Sequence, residues 1–442
     1  MVGSTLQPEE ERSNGGLVRT IGRWSLAALM LNTMIAASIF GLPSMIAGHL
    51  GRYSPAAYLV TAAGIGVVAA CLAEVASQFR EAGGPYLYAR VAFGRFAAIQ
   101  IGWLTWLTRI ASAAAVTNLF ITYLSEFLPR VSAPALRAAV MVALIGFLAA
   151  VNYRGVRGGN RLSNFFTITK LGVILLFIVG GLTALLLHPG IRVSPAPFSP
   201  TRADWVEAIL LMIYAYGGFE AAFFAAGEAK NPRKDGPIAL FIAIATATLL
   251  YIAVQYVVMH ILPDAAASTR TAVDTAKRFL GPTWVSVVTL GILVSMYGYL
   301  SANMLHTPRL TFAMGQQGDF PSFFGAIHPR FRTPHLSIVI FAGLVMLFSI
   351  GADFRWNAIL GAVSRLFIYG CVAGALPALR KKQLDADAFR LPGGMLFTGL
   401  ALLLTGILVT QMHFREIAVV GITMMLALLT WIWARRRTTL TA

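Results

Sequence analysis

Long apolar runs recur from one end of this chain to the other, and short polar segments between them carry most of the charge. A hydrocarbon core of about 30 Å takes about 20 helical residues at 1.5 Å rise each. On that measure the pattern predicts twelve spans, centred near Ile35, Val67, Ser112, Val142, Leu175, Gly217, Leu250, Val294, Phe341, Ile368, Leu403 and Met424. Two of them are interrupted. The sixth reads Tyr214-Ala215-Tyr216-Gly217-Gly218-Phe219-Glu220. Each glycine costs a helix about 1 kcal/mol, and the glutamate follows at the depth where charge is most costly. The first reads Asn32-Thr33-Met34-Ile35-Ala36-Ala37-Ser38-Ile39-Phe40-Gly41, a run of mostly small residues ahead of Pro43.

A matched pair of broken spans points to a secondary transporter with its site at mid-membrane. If the first span unwinds, the half-helix restarting near Ser38 offers free N–H groups and a positive dipole end, which suits a carboxylate. Tight helix packing is the alternative use of small residues there. Unwinding at Gly217-Gly218 frees the carbonyls of Ile213, Tyr214 and Ala215, which suit an ammonium group. Two breaks of opposite polarity therefore predict a zwitterionic amino-acid substrate. Ile35, Ala36, Ala37, Ser38 and Ile39 line one side; Tyr214, Ala215 and Gly217 line the other. Phe219 and Tyr297 either cover the pocket or serve as packing.

Composition agrees with a membrane domain: 57% of residues are hydrophobic and only 12% charged, against about 25% in soluble domains. The net charge of +17 does not predict nucleic-acid binding, because the basic residues are spread over loops. With the N-terminus inside, the inner loops hold roughly 21 Lys and Arg against roughly 10 outside, which predicts that both termini are cytoplasmic. Met1 to Arg23 does not read as a signal peptide. Cys71 and Cys371 fall inside apolar spans and read as buried small hydrophobes. The seven histidines show no ligand spacing, so no metal or other cofactor is expected. Arg80-Glu81-Ala82-Gly83-Gly84-Pro85 turns sharply and leads into an amphipathic segment, Tyr86 to Phe93.

Five charged residues stand inside or beside spans. Glu220 is expected to face a cavity, either as a proton-coupling carboxyl or as a hydrogen-bond partner of the broken backbone. Arg109 and Arg365 lie in apolar runs and pair either with Glu220 or with substrate. Lys170, early in the fifth span, either snorkels to the interface or acts as a functional cation. Glu228 precedes an inner loop and reads as a gate residue, as does Arg109.

Tyr214 to Glu220, followed by Gly227-Glu228-Ala229-Lys230-Asn231-Pro232, resembles the sixth helix and following loop of the amino acid–polyamine–organocation (APC) transporters. Ala82-Gly83-Gly84-Pro85-Tyr86-Leu87-Tyr88 is similar to their first cytoplasmic loop. Pro308-Arg309, Phe312-Ala313-Met314 and Gly318-Asp319-Phe320-Pro321 are similar to the end of their eighth helix. The resemblance implies an all-α integral membrane protein of 12 transmembrane helices with a LeuT-like 5+5 inverted repeat, helices 1 and 6 discontinuous. It assigns 1–23 to a cytoplasmic tail, 24–187 to the first repeat and 188–204 to an extracellular loop. The second repeat is 205–380, two additional helices occupy 394–434, and 435–442 is a cytoplasmic tail. It further implies amino-acid symport or exchange by alternating access in the inner membrane, with a proton as coupling ion and lipid as surroundings. In that likeness the Lys170 ammonium stands where sodium-coupled relatives hold their ion. The chain departs from the family at Ala36-Ala37-Ser38-Ile39-Phe40, where a Gly-Ser-Gly-Ile-Phe run is usual. An amino-acid sensor is the alternative function. An intramembrane acyl transferase is a weaker one, since Ser301 and His306 lack a base–orienter partner.

Overall fold

In hydrocarbon only a helix pairs every backbone N–H and C=O within one segment, and the apolar runs of this chain are helices. The computed structural model describes residues 22–35, 37–79, 83–155, 159–194, 199–220, 232–382 and 388–440. Among them the chain forms sixteen α-helices and no strand. The first break separates α1 (Arg23–Met34) from α2 (Ser38–Gly41) and α3 (Pro43–Leu50). There follow α4 (Ser54–Ser77), α5 (Gly84–Phe93), α6 (Arg95–Leu124), α7 (Pro134–Arg154) and α8 (Gly159–Leu187). The second break ends α9 (Arg202–Tyr216). Beyond it lie α10 (Pro232–Ile261), α11 (Thr271–Ala276), α12 (Pro282–Gln316), α13 (His335–Gly351), α14 (Phe354–Lys382), α15 (Gly394–Val409) and α16 (Phe414–Leu440).

Eight helical stretches among the described residues are long and apolar enough to cross a membrane, and α13 and α15 are shorter apolar helices. The outer surface carries Ile168, Leu186, Leu187, Leu249, Leu403 and Leu429 in the open. Apolar exposure on that scale fits lipid and not water. The helices α6 and α14 are the most enclosed, and α7 and α16 the least. A helix apolar all round is a central one, and α6 and α14 are where the candidate site draws its arginines.

The α5 segment predicted from Tyr86 to Phe93 forms a helix that begins at Gly84. It buries Tyr86, Tyr88 and Ala89 and ties down a corner of the molecule. The buried carboxylate of Asp319 accepts from Arg95 Nε at 2.6 Å, from Arg90 Nη1 at 3.5 Å and from the Tyr86 hydroxyl. Burial and the Asp319 hydrogen bond push the Tyr86 phenol well above its ordinary range, so its proton stays in place as a donor. Nearby, Glu74 accepts from Arg380 Nε at 2.6 Å, Arg380 Nη2 at 2.7 Å and the Leu391 N–H at 2.8 Å. A buried carboxylate with this many donors is the arrangement that offsets its desolvation.

Candidate functional site

The second break is made by two glycines, one needed for its backbone and one for the space it leaves. Gly217 turns extended (φ −74°, ψ 158°), and Gly218 takes φ +114°. A Cβ on Gly218 would stand 2.5 Å from the Thr33 carbonyl oxygen, and one on Gly217 would strike the Arg365 guanidinium. The glycine pair thus ends α9 and lets both the end of α1 and Arg365 come close. At its start α9 is held by a capping box: the Thr201 N–H donates to Asp204 Oδ2 at 2.8 Å and the Asp204 N–H to Thr201 Oγ1 at 3.3 Å.

The first break has no glycine at its centre. The chain leaves helical geometry at Ile35 (φ −76°, ψ 83°), whose N–H closes α1 on the Leu31 carbonyl. Ala37 is back in helical φ/ψ, and Leu42 continues it, bonding Ser38 O at 3.0 Å and accepting from Ile46 at 2.9 Å. Ser38 to Leu50 is therefore one run bent at Pro43, and its first turn leaves N–H groups without intrahelical acceptors. Ile35, Ala37, Ser38 and Ile39 are all buried. Ala36 lies outside the described residues, as does Glu228.

Tyr251, on α10, joins the two breaks. Its buried hydroxyl is 2.8 Å from the Ala215 carbonyl, 3.2 Å from the Met34 carbonyl and 3.2 Å from Ser38 Oγ. One proton serves either carbonyl while the oxygen accepts from Ser38. Its ring stacks on Tyr58 at 5.6 Å and meets Tyr216 edge-on at 5.5 Å. Of the three carbonyls expected to be free, two are already engaged: Ala215 by Tyr251, and Tyr214 by the Gly217 N–H at 3.3 Å. Each carbonyl keeps a second lone pair.

The breaks face a tight cleft, with about 10 Å³ of open space, lined by Thr33, Met34 and Ser38 on one side and Tyr214, Gly217 and Gly218 on the other. Arg109 and Ser112 of α6, Tyr299 of α12 and Arg365 of α14 complete it. Arg365 donates from Nε to Glu220 Oε1 at 3.0 Å, and both side chains are buried. Glu220 Oε2 accepts the Gly218 N–H at 2.9 Å. Glu220 therefore holds the broken backbone and Arg365 together, and it is the guanidinium of Arg365 that reaches the cleft wall. Arg109 also lines the cleft and makes no ion pair among the described residues.

Lys170 is buried and reaches α1: its Nζ donates to the Asn32 carbonyl at 3.0 Å and to Asn32 Oδ1 at 2.9 Å. It does not snorkel. The contact lies in the last turn of α1, just before Ile35. Of the residues expected to line the pocket, Ile35, Ala37, Ile39, Ala215, Phe219 and Tyr297 are not on the cleft wall. Phe219 stacks on Tyr369 at 5.7 Å, and Tyr297 packs against Phe166 at 5.7 Å, whereas Tyr299 turns to the cleft. Asn303 is spent on the Arg109 carbonyl and on Thr307. Sequence reasoning missed Tyr251, Ser112, Tyr299 and Thr33. The one local signal was the Tyr297-Gly298-Tyr299 pair, and only packing chooses between its members.

A bundle of apolar helices interrupted twice at one internal cleft defines a multi-pass membrane protein of the permease type. The amino acid permease family model matches residues 21–434, and the chain belongs to that family, within the APC superfamily. It is a permease, not an enzyme. It is 28% identical to the methylthioribose transporter of Bacillus subtilis (strain 168) over 404 residues, covering 85% of this chain and 84% of that protein. It is 28% identical to the branched-chain amino acid permease BcaP of the same organism, covering 88% and 86%. To the serine/threonine exchanger SteT, also of that organism, it is 28% identical, covering 76% and 78%.

Proposed function

We propose that this chain carries amino acids across the cell membrane by alternating access, as a proton-coupled symporter or an exchanger. The observation that carries the reading is the meeting of the two helix breaks at one cleft, in a member of the amino acid permease family. The substrate carboxylate takes the first-turn N–H groups at Ser38 and Ile39. The ammonium takes the remaining lone pairs of the Ile213, Tyr214 and Ala215 carbonyls.

The twelve-span, LeuT-like architecture belongs to the same proposal, with repeats at 24–187 and 205–380, additional helices at 394–434 and cytoplasmic termini. A correspondence between cations supports the repeats. Lys170, in the fifth proposed span, binds the end of α1 next to the first break. Arg365, in the tenth, binds Glu220 next to the second. Each repeat thus holds its own broken helix with a buried cation from its last span. Lys170 is the coupling residue of this reading: gaining or losing its proton makes or breaks the grip on Asn32, and so on the first break. Glu220, held by Arg365 and the Gly218 N–H, serves the structure of the site first. Arg109 borders the substrate path as a gate residue.

The test is uptake of a panel of labelled amino acids into proteoliposomes, with and without an imposed pH gradient. Saturable accumulation of at least one amino acid is expected. Binding without transport would favour a sensor and overturn the proposal.

A further inference from the structure

Among the described residues, the cleft holds more positive charge than its own carboxylates neutralise. Two guanidiniums line it, Arg109 and Arg365, and the one carboxylate bonded to either of them is Glu220. Glu220 takes Arg365 Nε and leaves Arg365 Nη1 buried with no hydrogen-bond partner. The Arg365 side chain is 4% exposed, so bulk solvent hardly reaches that nitrogen. Arg109 has no carboxylate within ion-pair distance among the described residues. Two further cleft groups, Ser112 Oγ and the Tyr214 hydroxyl, are also buried without partners. Three buried groups at one cleft therefore lack a partner, and Arg109 stands beside them with no ion pair among the described residues.

A net-neutral amino acid would leave this excess in place, and an unpaired charge in a membrane interior is costly. A cationic substrate would add to it. An aliphatic side chain would find Met34 and the rings of Tyr214 and Tyr299, but would bury the donors unpaired. A side-chain carboxylate meets every requirement at once: it cancels the excess charge and accepts from the planar guanidinium forks and the two hydroxyls. Resting on the transport reading above, we propose that the substrate is an acidic amino acid. Its α-carboxylate sits at the Ser38 end of the first break, and its side-chain carboxylate lies between Arg109 and Arg365.

The test uses the intact protein in proteoliposomes and compares labelled L-glutamate and L-aspartate with labelled L-leucine, L-serine and L-lysine. Uptake of an acidic amino acid is expected, with unlabelled L-glutamate competing at least about tenfold better than L-leucine or L-serine, a difference of about 1.4 kcal/mol. In the Arg109→Gln variant the preference should shift towards L-glutamine and L-serine, with monodisperse elution and thermal unfolding confirming that the variant folds. Transport of neutral or cationic amino acids, with no uptake of or competition by either acidic one, would overturn this proposal and leave the transport reading intact. Transport of no amino acid would overturn both. The competition measurement needs no variant, so the proposal stands or falls even if Arg109→Gln fails to fold.

Discussion

Two regions of this molecule bury charge, and they do it in opposite ways. At the α5 corner, Asp319 and Glu74 are surrounded by donors: Arg95, Arg90 and Tyr86 on one carboxylate, Arg380 and the Leu391 backbone on the other. At the cleft, Arg365 Nη1, Ser112 Oγ and the Tyr214 hydroxyl are buried and unbonded, and Arg109 makes no close ion pair among the described residues. A satisfied buried network holds the helices in place, whereas an unsatisfied one persists where something else completes it. The corner is therefore read as structure and the cleft as a ligand site.

The sharpest way to break that contrast is to remove one carboxylate from each region. Stripping a buried ion pair of one partner costs about 3–5 kcal/mol, so Glu74→Ala and Glu220→Ala should both lower the unfolding temperature of the purified protein. Only Glu220→Ala, which releases Arg365 into the cleft, should also change the order in which amino acids compete for uptake. A changed order in Glu74→Ala would erase the distinction between the regions.

Smaller effects follow. At Gly218, Ala would carry a Cβ into the Thr33 carbonyl at φ +114°. Strain of about 1–3 kcal/mol should cost initial uptake roughly tenfold to a hundredfold, while Gly343→Ala, where an added Cβ meets nothing within 4 Å, should leave it unchanged. Lys170→Ala should abolish pH-driven accumulation while counterflow exchange of the same amino acid survives. Retained pH-dependent concentrative uptake in that variant would remove Lys170 from the coupling step. Tyr251→Phe deletes a hydroxyl shared by both breaks, and at about 1 kcal/mol per hydrogen bond uptake should slow by several-fold to roughly tenfold. Tyr297→Phe, away from the cleft wall, should match the parent protein within about twofold, a difference of about 0.4 kcal/mol.

The two regions also differ in how far sequence alone revealed them. The glycine pair at Gly217-Gly218 was legible because a helix break is a local backbone event, readable from residue type. The first break was legible only from its small residues before Pro43, since its centre lacks the glycines that would announce it. All twelve predicted centres fall in helices or at the two breaks. The walls of the cleft were harder. Whether Tyr297 or Tyr299 faces it depends on the rotation of α12, and Phe166 claims the first. Whether Glu220 or Arg365 presents its charge depends on a contact between residues 145 positions apart. Tyr251 carried no local signal at all: a tyrosine in an apolar span acquires its role only when Met34, Ser38 and Ala215 arrive around its hydroxyl.

The central claim is that substrate occupies the cleft between the two breaks, and site-directed alkylation tests it most directly. Cys71 and Cys371 are replaced by alanine, and Ser112→Cys places a single thiol on the cleft wall. With the reconstituted S112C variant, a transported amino acid at saturating concentration should slow reaction with a small thiol reagent, whereas a non-transported one should not. Alkylation at the same rate with and without a transported substrate would place that substrate elsewhere and contradict the account.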